Sequence, residues 1–120
     1  MNKLLFVIGL LGLTLACTND NLNEDFPPCD SSSVRYSAEI TDIFSNNCLG
    51  CHGTNTFSTA GAGINLTDHS VVKDFVENGR LMATIEQSDS VSPMPMNASK
   101  LDQCNIDKIK TWINEGAQNN

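Results

Sequence analysis

Apolar residues fall along this chain in short groups, each with its own spacing. Residues 4–16 form a run of 13 residues that is apolar almost throughout, preceded by Asn2 and Lys3. Residues 18–34 follow without any period, polar, acidic and rich in Pro and Ser. From Tyr36 the positions Ile40, Ile43 and Phe44 recur at i, i+3 and i+4, which predicts a helix over roughly 36–47. Residues 53–66 are rich in Gly, Thr, Ser and Asn and read as a long loop. Thr67 or Asp68 is placed to cap a middle helix carrying Val71, Val72, Phe75 and Val76, which Asn78-Gly79 stops. Leu81, Met82 and Ile85 predict one more short helix. The segment 88–97 contains Pro93 and Pro95 and suits neither regular helix nor central strand. A final helix begins near Asp102, carries Ile106, Ile109, Trp112 and Ile113, and ends before Gly116. No strand pattern and no internal repeat is visible, so the expected fold class is all-α.

The first group changes the picture of where the chain works. A basic residue followed by 13 apolar ones fits a signal peptide and falls short of a bilayer span. Its end, Leu13-Thr14-Leu15-Ala16-Cys17, resembles a bacterial lipobox, with cleavage before Cys17 and lipid on that cysteine. Thr14 stands where an aliphatic residue is commoner, and a plain secretory signal is the competing reading. Cleavage removes 16 of the 120 residues, Lys3 among them, and leaves 104 residues with 6 basic against 14 acidic side chains, net −8. The expected organisation is a signal peptide at 1–16, a lipidated acidic tether at 17–34 and one folded domain at 35–120. An acidic chain without a basic cluster offers nothing to a phosphate backbone, so nucleic-acid binding is excluded. A domain this short is marginal on apolar burial alone and needs further support.

The sharpest chemical feature is Cys48-Leu49-Gly50-Cys51-His52. C-x-x-C-H is the spacing of a c-type haem attachment site. Two thiols three residues apart lie on one side of a helical turn and can add across the two vinyl groups of one haem. His52 follows on the same side, where a neutral imidazole reaches the iron while its other nitrogen bonds a backbone carbonyl. Small Gly50 between the cysteines lets the macrocycle approach closely. A redox dithiol and half of a zinc site are the competing readings. The dithiol lacks the strands of a thioredoxin-like unit, and zinc lacks a second pair of ligands at ligand spacing.

An electron-transfer iron takes a second axial ligand, and a Met thioether raises its potential. Met94 sits in Ser92-Pro93-Met94-Pro95-Met96, a loop stiffened by two prolines, and is the first candidate. Met96 is the alternative, with Met82 and His69 behind it. Gap-filling in the core is the ordinary role of a Met.

With these residues the chain resembles the small class I monohaem c-type cytochromes, through Cys48, Cys51 and His52, Met94-Pro95, and Ile109, Trp112, Ile113, Gly116 and Ala117. The likeness spans roughly 36–117. It implies three to five short helices enclosing one covalent haem, with the first helix crossing the last. It also implies a one-electron carrier that catalyses no bond chemistry. A gas sensor or peroxidase-like protein with a weak sixth ligand is the alternative, as is a fixed relay subunit of a larger oxidoreductase.

Once lipid and haem take three cysteines, Cys29 and Cys104 remain in an oxidising compartment and are expected to pair as a structural disulfide, with two free thiols as the competing reading. Arg80, Lys73 and Lys100 are candidates to pair with haem propionates. His69 reads as an exposed residue near a helix start, and Trp112 as core. The expected partners are redox proteins of the periplasm or membrane, basic ones among them drawn by the acidic surface, and the membrane itself through the lipid. Thr18 is not the Asp that retains some lipoproteins at the inner membrane, which leans the location toward the outer one.

Overall fold

The computed structural model describes residues 28–120. The expected signal peptide at 1–16, Cys17 and most of the expected tether lie outside the described residues. Within 28–120 every regular element is a helix, and none of these helices is long and apolar enough to cross a membrane. A π-turn, Tyr36–Ile40, runs into α1, Thr41–Asn47; α2 is Leu49–His52, α3 His69–Glu77, α4 Arg80–Ile85 and α5 Gln103–Asn114.

The core forms where the apolar spacings meet. Ile40, Ile43 and Phe44 on the first helix, Val72 on α3, Leu81 and Ile85 on α4, and Ile106, Ile109 and Trp112 on α5 are all buried. The π-turn packs on α5 and α3 packs on α4, so the first and last helices meet across the core. Capping sets the starts of α3 and α5. Asp68 accepts from the Ser70 amide at 2.9 Å and Asp102 from the Asn105 amide at 2.9 Å, filling donors that a helix leaves unpaired. The Ser70 hydroxyl and amide on its carboxylate hold the Asp68 pKa below its ordinary value. Asp68 is thus the cap, while Thr67 bonds Asn65 instead. Gly79, at φ 74, makes the turn between α3 and α4.

The first helix has no side-chain cap of the usual kind. Its opening amides on Tyr36 and Ser37 donate to the side chain and main chain of Asn120 at 2.8 and 2.9 Å. The same C-terminal segment takes the Trp112 indole N–H on the Gln118 carbonyl at 2.9 Å. His69 joins it: its Nε2 donates to the Ala117 carbonyl at 3.0 Å and its ring stands edge-on to Tyr36 at 4.5 Å. The expectation of an exposed His69 is therefore corrected, because a partner 48 residues away draws the ring inward. Trp112, at 1% exposure, is core as expected.

The packed domain begins before residue 35. Val34 is 3% exposed within the core, and Cys29 is bonded to Cys104 at the start of α5, with Cα atoms 5.4 Å apart. Residues 28–34 are therefore held to the helices at both ends, by Cys29 and by Val34. The bridge closes a span of 75 residues, worth about 4 kcal/mol in the chain-entropy picture. Replacing both cysteines with serine should lower unfolding stability by about that amount in denaturant titration; a loss within about 0.5 kcal/mol would mean that the bridge constrains little.

Candidate functional site

A cavity of about 850 Å³ opens among these helices, within the range of roughly 300–1,000 Å³ typical of cofactor sites. Four segments build it. The end of α1 and all of α2 bring Cys48, Gly50, Cys51 and His52, and the following loop brings Gly61, Ile64 and Leu66. Phe75, Leu81 and Ile85 come from α3 and α4, and the proline loop supplies Met94 and Met96, with Leu101 beyond it. Among the described residues no Asp or Glu lines the cavity.

Cys48 sits at the junction of α1 and α2, and its amide donates to the Phe44 carbonyl at 2.8 Å. The amide of His52 in turn donates to the Cys48 carbonyl at 2.9 Å. The helical turn expected for C-x-x-C-H is thus formed, and the two thiols and the imidazole reach one cavity. Both thiols are free of disulfides. Burial pushes the Cys48 thiol up to about 11, so it is protonated at neutral pH. An exchanging dithiol needs the opposite, a lowered thiol pKa. Among the described residues no three of His, Cys, Asp and Glu gather into a metal site, whereas structural zinc takes four ligands. A Cβ on Gly50 would meet no protein atom within 4 Å.

His52 is oriented by the loop that follows it. Its Nδ1 lies 3.1 Å from the Ile64 carbonyl, which can only accept, so Nδ1 carries a proton and the neutral tautomer selected leaves Nε2 as the ligating nitrogen. The Leu66 amide donates to the His52 carbonyl at 2.9 Å and ties the end of the loop to the same residue. Residues 53–66 hold no regular helix or strand, as their composition suggests. They are a succession of bonded turns, in which Phe57 donates to Gly53, Ala60 to Thr56, and Gly61 and Gly63 to the Phe57 carbonyl.

Of the candidate methionines, Met94 and Met96 line the cavity. Met94 is half-buried, and its amide donates to the Thr84 carbonyl at the end of α4 at 3.0 Å. Met96 is 62% exposed. Met82 packs on the core away from the cavity, and His69 is held by Ala117. Neither belongs to the site. The three basic candidates also separate. Arg80 lines the cavity with its guanidinium 4.8 Å from the Phe75 ring centre. Among the described residues no carboxylate lies within 4.0 Å of it. Lys73 instead donates to the Gly116 carbonyl at 3.1 Å and faces Glu77 at 3.8 Å, and Lys100 does not line the cavity.

Sequence reasoning missed Gly61, Ile64 and Thr84, which act through backbone atoms. Only the Gly61-Ala62-Gly63 cluster hinted at a close approach. No family model, no curated protein and no solved structure matches the chain.

Proposed function

We propose that this protein is a lipid-anchored monohaem cytochrome c that carries single electrons, with the class I cytochrome fold around its haem. One observation carries the reading: Cys48, Cys51 and His52 converge on a largely apolar cavity that also receives Met94 from a separate segment. The donor set fits the group. The Cys48 and Cys51 thiols would add across the vinyl groups of a haem, each carbon–sulfur bond forming as the sulfur's proton goes to the neighbouring carbon. The imidazole presents Nε2, and the thioether of Met94 suits a soft axial position.

Bound haem supplies a one-electron couple between ferric and ferrous iron. Everything else is done by the chain. Cys48 and Cys51 fix the group against α2. The Ile64 carbonyl keeps the His52 ring in one orientation and one tautomer, so oxidation and reduction require little rearrangement of the ligand. Ile64, Leu66, Leu81, Ile85 and Leu101 exclude water and favour the less charged reduced state. Arg80, poised on Phe75, is the cation suited to a propionate carboxylate. A potentiometric titration should follow a single one-electron wave; a chain that shows no such wave after expression with a haem-attachment system lacks this function.

The proposed site is periplasmic, with lipid on Cys17 holding the domain to a membrane, outer rather than inner. The partners are redox proteins with a basic face. With net −8 on the mature chain, charge attracts such a partner at a distance. The bimolecular exchange rate should then fall as salt rises, roughly tenfold between about 10 mM and 150 mM where screening shortens from tens of Å to about 8 Å. A rate indifferent to salt would remove the basic partner.

A further inference from the structure

We propose that Gly61 is a positioning residue for His52: the missing side chain lets the 61–64 turn close onto the helix and deliver the Ile64 carbonyl to Nδ1. This rests on the reading of His52 as the ligating side chain. A Cβ built on Gly61 would lie 2.6 Å from the Cys51 carbonyl oxygen, 2.9 Å from the Phe57 Cα and 3.0 Å from His52 Nδ1. Two of the three are backbone atoms, which cannot swing aside as a side-chain end can. Any side chain at 61 therefore forces either the turn or the helical turn of Cys51 and His52 to move.

The turn itself is built for that delivery. The Ile64 amide donates to the Gly61 carbonyl at 2.9 Å, and the two residues between, Ala62 and Gly63, have φ of 52° and 81°. Positive φ at both central positions is the signature of a type I′ turn, which Gly favours and Ala resists. The Phe57 carbonyl accepts from both Gly61 and Gly63, at 3.1 and 2.9 Å. The turn is thus clamped at its start by Phe57, pressed flat on Cys51 at Gly61, and ends with the carbonyl 3.1 Å from the His52 ring. Nearby Gly50 and Gly63 have no such neighbours, since a Cβ on either would meet nothing within 4 Å.

The test is solvent exchange of the His52 Nδ1 proton, followed by nuclear magnetic resonance on the full chain as purified, with any bound haem kept reduced. Gly61→Ala should speed that exchange roughly tenfold, the equilibrium equivalent of one hydrogen bond. Gly116→Ala serves as the comparison: φ at Gly116 is 98° and no atom crowds it, and Gly116 does not line the cavity that His52 lines, so the variant strains the protein outside that site and should leave the rate unchanged. An unchanged rate in Gly61→Ala, or an equal rise in Gly116→Ala, overturns the proposal. Should Gly61→Ala not fold, Gly63→Ala strains the same turn without a collision. A rise of about twofold or more in that variant supports the proposal and no rise overturns it. The haem content of the same sample, read by its absorption, reports separately on the cytochrome reading.

Discussion

A chain in which Cys48 and Cys51 are both serine is expected to carry no covalently bound haem. The thioether bonds need sulfur, and a hydroxyl does not replace it as a nucleophile toward a vinyl group. The single variants should separate the two positions. Cys48 is half-buried against the core and Cys51 is exposed at the cavity wall, so loss of Cys48 should also cost packing. The readout is the mass of the denatured protein, which gains one haem in the parent chain and nothing in the double variant. Haem mass retained in the double variant would place attachment elsewhere and remove Cys48 and Cys51 from the site.

The second large effect is expected at Met94. Met94→Ala should leave haem attached, because the thioethers and His52 are untouched, yet lower the reduction potential by on the order of 100 mV or more. It should also open the iron to added ligands. The comparison is Met96→Ala. Met96 is 62% exposed, whereas the Met94 amide is tied to Thr84 at 3.0 Å, so only Met94 has a backbone held in place for a weak ligand. The Met96 variant should keep the parent potential. The reverse pattern would exchange the two assignments, and an unchanged potential in both would leave the thioethers without a ligand role.

Much of the helical framework was legible because it rests on local rules. The spacings of Ile40, Ile43 and Phe44 and of Ile106, Ile109 and Trp112 mark faces that are buried in the structure. Asp68 and Asp102 cap where their residue types suggest. The spacing of Cys48, Cys51 and His52 was readable for the same reason: three residues on one turn need only that turn.

The rest depends on partners far away in the chain. His69 is half-buried because of Ala117, and the first helix starts where Asn120 meets its amides. No periodicity encodes either contact. Val34 stands in a polar stretch and reads as tether, but it lies in the core beside the segment that Cys29 fixes to α5. Residues 53–66 lack an apolar period because their order comes from backbone bonds, such as those to the Phe57 carbonyl, and backbone carbonyls have no signature in residue type. Likewise, Arg80, Lys73 and Lys100 are equivalent as letters. Only the packing of α3 on α4 brings Arg80 to the cavity and sends Lys73 to Gly116.

The central claim, one haem c with His52 and Met94 on its iron, is tested most directly by absorption spectra of the protein made with a haem-attachment system. They are recorded oxidised and reduced, with and without carbon monoxide. The account predicts a low-spin c-type spectrum, the weak red band of sulfur on ferric iron, and no response to carbon monoxide. A high-spin spectrum that shifts with carbon monoxide would contradict Met94 ligation and favour a gas sensor or peroxidase-like protein, and a chain without haem absorption would contradict the cytochrome altogether.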